Sequence, residues 1–496
     1  MSFAFSLTPK KTLSEFESAL LTVVIMAGFV IHGIWQGQSL SFYAIFILVS
    51  FYSIFKYPKT GIYLIIIGTM WFERHFTLQP LTIGDVSYKI YPLDFILLIT
   101  GLSLFVRVVD KEIKWKWHKF DTPILLFGLA ATFGYLLSWL RNLDPVLAFG
   151  TYKNYFLYAV VYVFIALLFK TKEDWKKLMA WFFAGGAGLF FFLFYGIITG
   201  HGLWSDFTPL STYGERLIAG THIFYMVLFG FFLMSLYFWK SEFQKKISEK
   251  IIFACIGLVA IGILVSLVRH LWAALAVIFI LWFIFLYREE KKKMITLGKK
   301  CFAIGLFFIL IYLWVSFSFK GAVPQNLSKG YYAVKERVGI ESVARLEDSS
   351  FRWRISAWAV GVVLWTRHPV LGSGLGQLVS GYDNIVPFEI AARELHNNYL
   401  GILIQLGVVG LGVVLAWFWM LLVKMKEMWK FTQARDNFYT QLTFTWVSVV
   451  LLFMIGFSIS VYWDVNFFII WWWVALAAVR FLSDEVKPPL FSTVKF

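Results

Sequence analysis

The stretch from Arg354 to Gly410 joins side chains that can do chemistry to the start of a long apolar segment. His396 stands directly before that apolar run. An imidazole in this position is dry on one side and open to water on the other, which suits general-base work near neutral pH. For a lone histidine, the alternative is a helix-capping or interfacial residue. Glu394 is close in sequence, but residues two apart on one helix do not face each other.

Residues 350–366 carry the pattern of an amphipathic helix. Residues 348–350 offer N-cap candidates, and the His368-Pro369 pair ends the pattern. Apolar side chains recur at helical spacing at Phe351, Ile355, Trp358, Val362 and Trp365. We predict a helix that lies on a helical bundle or in the membrane interface.

Arg352 and Arg354 fall in the first turn of that helix, where a positive charge opposes the helix dipole. A bound anion would relieve this conflict. The alternative is a pair of arginines that snorkel from an interfacial helix. The glycine-rich run from Gly372 to Gly376 could cradle a phosphate or form a simple turn, and no strand precedes it as a dinucleotide fingerprint requires.

Two further arginines lie at breaks between apolar runs. Arg269 interrupts the segment 251–287, where a charge is costly unless it reaches water or a partner, so it is a candidate functional residue. Snorkelling at a short turn is the alternative. Arg216 precedes a later apolar run and reads, by itself, as an ordinary loop arginine.

Composition indicates a polytopic membrane protein. Hydrophobic residues make up 59% of the 496 residues and charged residues 15%, whereas about 25% are charged in a soluble domain. Fourteen apolar runs have about the length that crosses hydrocarbon, and we expect the first to be a retained helix rather than a cleaved signal peptide. The runs are 17–35, 40–56, 60–76, 93–108, 122–140, 148–169, 176–198, 218–239, 251–267, 270–287, 301–319, 397–423, 440–460 and 464–482. The predicted fold is all-α, a transmembrane helical bundle.

The basic residues predict the orientation of these helices. Of the 45 lysines and arginines, 30 cluster at alternate ends of the runs, and the positive-inside rule then places both termini in the cytoplasm. The net charge of +16 is therefore mostly a topological signal, and we expect no nucleic-acid partner. The arginines and His396 fall on the external face, where 320–396 is the one segment long enough for structure of its own.

Four regions follow from this topology. We predict N-terminal transmembrane helices over 1–217, central transmembrane helices with the Arg269 turn over 218–319, a large external loop over 320–396, and C-terminal transmembrane helices with a short cytoplasmic tail over 397–496. Cys255 and Cys301 lie in apolar runs, so we expect neither a disulfide nor a metal site from them. No cofactor is expected.

The external arginines suggest binding of a diphosphate. Guanidinium groups match phosphate oxygens and can stabilise diphosphate as a leaving group. The sequence has no DxD motif and no external Asp/His cluster with metal-ligand spacing. These features favour a transferase that needs no metal.

Several motifs resemble the superfamily of O-antigen ligases and O-antigen polymerases. They comprise Arg354-x-x-x-Trp358, His368-Pro369, Gly372-x-Gly374, Leu395-His396-Asn397-x-x-Leu400, Gly407-x-x-Gly410, the Ser266-Leu-Val-Arg269 break and the RLIAGTH segment at Arg216. The resemblance covers roughly residues 210–425. The chain departs from the family pattern in its larger number of apparent spans and in the sequence of the Arg269 turn.

The resemblance implies a fold and an activity. The family fold is a glycosyltransferase C-type bundle, and its members take a glycan from undecaprenyl diphosphate on the periplasmic side of the bacterial inner membrane. His396 is implied as the base that activates an acceptor hydroxyl, and Arg216, Arg269 and Arg354 as diphosphate contacts. Arg352, His368 and Glu394 are further candidates for substrate contact.

The expected function is an inverting membrane glycosyltransferase of cell-envelope polysaccharide or lipopolysaccharide biosynthesis. Ligation to a lipid or glycan acceptor and polymerisation of a polysaccharide use the same donor and therefore stay open, as does the identity of the sugar. A lipid or polysaccharide transporter is the alternative from another class, since many transporters have this number of helices. Transporters often have two related halves and midplane charges, and this sequence has no visible repeat.

Overall fold

The structure is a computed structural model that describes residues 13–36, 40–78, 81–83, 86–88, 90–207, 216–240, 247–318, 349–383, 389–432 and 436–485. The N-cap candidate Asp348 and the predicted loop residues 320–348 lie outside the described residues. The helices are α1 (Glu15–Gln36), α2 (Leu40–Lys56), α3 (Lys59–Glu73), α4 (Pro92–Val109), α5 (Asp121–Leu140), α6 (Pro145–Tyr155), α7 (Val160–Leu168), α8 (Lys172–Thr199), α9 (Gly220–Phe238), α10 (Glu249–Val265), α11 (Arg269–Phe285), α12 (Arg288–Ser318), α13 (Ser349–Thr366), α14 (Asn398–Thr432), α15 (Asn437–Gly456) and α16 (Asn466–Glu485).

The protein is an all-α, multi-pass membrane protein. Nine helices of the described part are long and apolar enough to cross a membrane, and the helices Ser41–Lys56 and Arg269–Phe285 are shorter apolar ones. A helix lies at each of the fourteen predicted runs, although the run 148–169 is divided into α6, the 3-10 turn Leu157–Ala159 and α7. Two small antiparallel ribbons were not predicted: β1 (Leu81–Ile83) with β2 (Val86–Tyr88), and β3 (Val379–Gly381) with β4 (Ile390–Ala392).

The chain forms two compact units. One comprises residues 1–115 and 167–185, in which α1 packs on α2 and α3, and α2 packs on α4. The other comprises residues 116–166 and 186–496, and it contains every candidate site residue. In this second unit α15 packs against α9, α11, α14 and α16, while α14 also packs against α5 and α13. The spans in α9 and α16 are wholly buried, so these two helices form its centre.

The helix at 350–366 is present as α13, but its predicted apolar stripe was wrong in part. Ala357 and Val360 form the buried face against the β3–β4 ribbon and Ile404 of α14. Val362 is 45% exposed. Of the predicted stripe, Trp358 and Trp365 do pack against this cluster. Spacing alone does not reveal the ribbon, which shifts the buried face toward Ala357 and Val360.

The long helix α14 is interrupted at Gly407, whose backbone has φ 65°. The loop before α14 occupies this break. Ser373 N–H donates to Ile404 O at 2.7 Å and Gly374 N–H donates to Gln405 O at 3.0 Å. In return, Val408 N–H donates to Pro369 O at 3.0 Å. Within an apolar bundle these bonds are needed, because an unsatisfied backbone group there costs several kcal/mol.

The glycine-rich run 372–376 is therefore a packing element. Its five backbone N–H groups all donate within the protein: to His368 O, Ile404 O, Gln405 O and Gly134 O, and, for Gly376, to Gln405 Oε1. Gly372, Gly374 and Gly376 have φ of 73°, 101° and 74°. Donors already engaged in this way favour the simple-turn interpretation over the phosphate cradle.

Candidate active site

The first element of the site is the turn between α10 and α11. Ser266 is the C-cap residue of α10, and its hydroxyl accepts a 3.3 Å hydrogen bond from Val268 N–H. Leu267 has φ 57°, which is uncommon for a residue with a side chain and marks a constrained backbone. Arg216 Nη1 donates to Ser266 O at 2.8 Å. The arginine from the loop before α9 is thus tied to the turn that carries Arg269.

His270, in the first turn of α11, is the residue around which the predicted site residues meet. Its ring interacts electrostatically with Arg354, His396 and Arg216. Its Nε2 lies 3.0 Å from the hydroxyl of Tyr462. Side chains from α11, from α13, from the loop before α9 and from the loop before α14 therefore converge.

His396 sits in a constrained loop directly before α14. Its backbone φ is 52°, and Trp353 of α13 packs edge-on against its ring at a centroid distance of 5.9 Å. The indole N–H of Trp358 donates to Leu395 O at 2.8 Å. Two tryptophans of α13 thus hold the loop that carries His396.

Burial and the neighbouring Arg354 guanidinium lower the pKa of His396 to about 4. The imidazole is consequently neutral near pH 7. A neutral ring has a lone pair that can accept a proton, which is the state that a general base requires.

The start of α14 is fixed by the connection between α15 and α16. Asn398 Nδ2 donates to Asp464 Oδ2 at 2.5 Å, and Asn398 Oδ1 accepts from Trp463 N–H at 3.1 Å. Asn398 N–H donates to Phe457 O at 2.7 Å. Asn154 of α6 donates to the carbonyl of Asp464. These bonds set the position of the residue two places after His396.

Two carboxyl groups lie beside this connection. The pKa of Asp464 is raised to about 7, mainly by burial and also by nearby Glu394, while Arg393 and hydrogen bonds from Asn398 and Tyr155 oppose the shift. Burial also raises the pKa of Glu394. A recess of about 10 Å³, space for about one water molecule, is lined by Gln377, Val379, Arg393, Leu395, Asn397, Gly401, Ile404, Gln405 and Asp464.

The remaining predicted residues fall in different places. Arg269 is half-buried at the first position of α11, beside His270. Arg352 is half-buried in the first turn of α13. His368 is exposed after α13, where its N–H donates to Trp365 O at 2.9 Å. Glu394 interacts with Arg393 and Asp464 rather than with the cluster around His270.

Sequence reasoning missed four residues of this arrangement: His270, Tyr462, Asp464 and Asn398. In the sequence, His270 simply follows Arg269 in the break between two apolar runs. Polar residues placed between two long apolar helices, as in Tyr462-Trp463-Asp464, were the available signal for the α15–α16 connection. Spacing could not indicate that this connection reaches the starts of both α11 and α14.

The arrangement combines guanidinium groups, which bind phosphate oxygens, with a neutral imidazole, which can accept a proton. Among the described residues, no group of three or more His, Cys, Asp or Glu side chains could hold a metal ion. These features describe a multi-pass membrane protein in which arginine and histidine side chains lie together.

Residues 254–415 match the family model described as O-Antigen ligase, so this part of the chain is similar to the superfamily of O-antigen ligases and polymerases. The matched region contains Arg269, Arg354 and His396 but not Arg216, and it confirms the resemblance for the motifs that lie within it. The match supports a membrane function like that of an O-antigen ligase or polymerase. The curated proteins contain no match to this chain.

Proposed function

We propose that this protein is a membrane glycosyltransferase that moves a glycan from undecaprenyl diphosphate to an acceptor hydroxyl, in the manner of an O-antigen ligase. The convergence of Arg216, Arg354 and His396 on His270 is the observation that carries the proposal. Two arginines suit a diphosphate and one neutral histidine suits a hydroxyl. A site for a reaction needs both within near contact of the reacting centre.

In the proposed reaction, His396 takes the proton of the acceptor hydroxyl as its oxygen attacks the anomeric carbon. The bond from that carbon to the diphosphate oxygen breaks, and undecaprenyl diphosphate leaves with the electron pair. Attack opposite to the leaving group inverts the configuration. Arg216, Arg269 and Arg354 stabilise the charge that grows on the diphosphate, so the mechanism assigns that work to arginine rather than to a metal.

The proposal includes the surroundings of the site. The bundle is of the glycosyltransferase C type with about fourteen spans, divided at residues 217, 319 and 396. It lies in the bacterial inner membrane with both termini in the cytoplasm and the site on the periplasmic face. Helix α13 supplies a wall or lid over the donor, a role supported by the contacts of Trp353 and Trp358 with the His396 loop. Arg352, His368 and Glu394 remain candidates for contact with the glycan or acceptor.

The direct test is a transfer assay with purified protein in proteoliposomes. One donor, a short glycan on undecaprenyl diphosphate, is offered together with lipid A core or with a second lipid-linked glycan. We expect a new glycosidic bond to lipid A core; extension of the second lipid-linked glycan instead would assign the protein as a polymerase. Movement of the donor across the bilayer with no covalent change would contradict the proposal.

The variant His396→Ala should transfer the glycan roughly 10² to 10⁴ times more slowly while it still binds undecaprenyl diphosphate. The matched control is His201→Ala, since His201 is an exposed histidine in the loop after α8 that contacts Thr199 and Tyr195. This control should transfer the glycan at the wild-type rate.

A further inference from the structure

The pair formed by His270 and Tyr462 lies beside Arg216 and Arg354. The transfer mechanism above does not use this pair. Tyr462 comes from the connection between α15 and α16, and its hydroxyl lies 3.0 Å from His270 Nε2. The imidazole of His270 interacts with Arg216 and Arg354, which are the two arginines proposed to hold the diphosphate. The pair is therefore close enough to the donor site to act on it.

The ring of Tyr462 is held in one place, and its hydroxyl meets the side chain of Ser460 as well as His270. Its side chain is 2% exposed, and the rings of Phe468, Phe224 and Phe453 surround it at centroid distances of 4.8, 4.9 and 5.9 Å. A Cβ atom at Gly456 would lie 2.4 Å from the Tyr462 ring, so the ring fills all of the space there. A ring packed in this way fixes the position of the hydroxyl that His270 meets.

The hydrogen bond with Tyr462 determines what the other nitrogen of His270 can do. In a neutral imidazole one nitrogen donates and the other accepts. When the tyrosine hydroxyl donates to Nε2, the proton of the ring is on Nδ1, which becomes a donor. With the opposite polarity Nδ1 carries a lone pair, which a phosphate oxygen repels. An anion bound between Arg216 and Arg354 therefore selects the tautomer with Nδ1–H.

We propose that His270, oriented by Tyr462, is a further diphosphate-binding residue whose Nδ1–H donates to a diphosphate oxygen of the donor. This inference rests on the proposed function. Tyr462 is a positioning residue, because it acts on the donor only through His270. The pair adds a neutral donor of fixed direction to the arginines, whose charges attract the diphosphate from any direction.

Two side-chain replacements can test the roles of the two ring nitrogens of His270 one at a time. The amide nitrogen of Asn takes roughly the place of Nδ1, and that of Gln takes roughly the place of Nε2. We expect His270→Gln to raise the donor KM about ten-fold, the effect of one hydrogen bond to a charged group, with kcat little changed. His270→Asn should stay near the wild-type KM. Tyr462→Phe keeps the ring in its aromatic surroundings and should raise the donor KM by a smaller factor.

The double variant His270→Gln with Tyr462→Phe should be no worse than His270→Gln alone, because both changes affect one interaction. The matched control is Tyr399→Phe, which removes a hydroxyl that donates to Met454 O at 2.7 Å. This control should retain the wild-type KM.

Direct binding is measured with undecaprenyl diphosphate, undecaprenyl phosphate and inorganic diphosphate. If His270→Gln loses affinity only for undecaprenyl diphosphate and inorganic diphosphate, the result supports recognition of the diphosphate. An equal loss of affinity for all three ligands contradicts it.

An unchanged donor KM and unchanged undecaprenyl diphosphate binding in His270→Gln would overturn the inference while glycan transfer by the wild type continues. A lower kcat with an unchanged KM would also overturn it, since that result assigns His270 to proton handling. Should His270→Gln fail to fold, as judged by thermal melting in detergent, Tyr462→Phe decides the matter alone: wild-type affinity in that variant contradicts the inference. A wild-type protein that neither binds the lipid nor transfers a glycan contradicts the proposed function itself.

Discussion

Asn398 donates a 2.5 Å hydrogen bond to Asp464, so the first residue of α14 is tied to the connection between α15 and α16. The same connection presents Tyr462 to His270 at the start of α11. The connection between α15 and α16 thereby fixes the position of the His396 loop relative to the Arg269 turn. The site depends on this tie as well as on the residues that are proposed to meet substrate.

Two replacements of Asp464 should distinguish the effect of its hydrogen bond with Asn398 from the effect of its charge. Asp464→Leu leaves Asn398 without its acceptor and should destabilise the protein by about 1–3 kcal/mol, with a loss of kcat because His396 is misplaced. Asp464→Asn keeps an acceptor oxygen for Asn398 and should recover most of both. Thermal melting and the transfer rate measure the two effects. Equal kcat in both variants would contradict the positioning role.

The stability of the protein should also depend on pH through Asp464. Its pKa is raised to about 7 in the folded state, whereas an unfolded Asp has a pKa of about 3.9. The protonated form therefore favours folding, and this contribution is complete below about pH 4 and lost as the pH rises to about 7. Melting temperatures of wild type and Asp464→Asn across this range test the prediction. The wild-type value should fall relative to that of the variant as pH rises, and parallel curves would refute it.

The pH dependence of transfer should reflect His396. Its pKa is lowered to about 4 by burial and Arg354, and protonation removes the lone pair of the base. We expect kcat/KM for the donor to fall only as the pH drops toward that value. Arg354→Gln removes one cause of the shift, so its acid limb should move toward the ordinary histidine pKa of about 6.5. Identical acid limbs in the two proteins would show that Arg354 does not tune His396.

The bound diphosphate should act on the same histidine. Its negative charge offsets that of Arg354, so the pKa of His396 in the donor complex should be higher than in the free protein. The acid limb of kcat, which reports the complex, should then lie at higher pH than that of kcat/KM. Rapid-mixing kinetics over a pH series, with stability checked at each pH, measures both limbs.

Glycine substitutions test the packing role of the run 372–376. A Cβ at Gly372 would lie 2.4 Å from the backbone of Gln405, and the backbone there has φ 73°. Gly372→Ala should therefore cost more than about 1 kcal/mol and lower the yield of folded protein. Gly412, in the second half of α14, has no atom within 4 Å of the site of a Cβ, and Gly412→Ala should be neutral or stabilising by up to about 1 kcal/mol. A raised donor KM with unchanged stability in Gly372→Ala would revive the phosphate-cradle interpretation.

A buried ion pair at the other end of α5 should matter for stability alone. Arg480 Nη1 lies 2.8 Å from Asp121 Oδ1, and both side chains are at most 10% exposed. Asp121→Ala removes one partner of this buried pair, a change that typically costs about 3–5 kcal/mol. The folded fraction of the variant should keep the wild-type donor KM. A changed KM in that fraction would indicate that the pair acts on the site.

Much of this architecture could be predicted from the sequence, because apolar runs and charge clusters are local signals. His396 and Arg354 were recognisable from their motifs, and the end of α13 from the His368-Pro369 pair. The buried face of α13 was not, since it depends on a β-ribbon formed by residues 379–381 and 390–392. His270 and Tyr462 could not be paired, because they are 192 positions apart in the sequence and only tertiary packing brings them together.

The central claim is that His396 acts on the acceptor while the arginines hold the donor in the same site. The most direct measurement compares undecaprenyl diphosphate affinity and single-turnover glycan transfer in wild type, His396→Ala and Arg354→Ala. We predict that His396→Ala binds the lipid normally and transfers roughly 10² to 10⁴ times more slowly, while Arg354→Ala loses affinity. Transfer by His396→Ala at a rate close to that of wild type would contradict the account.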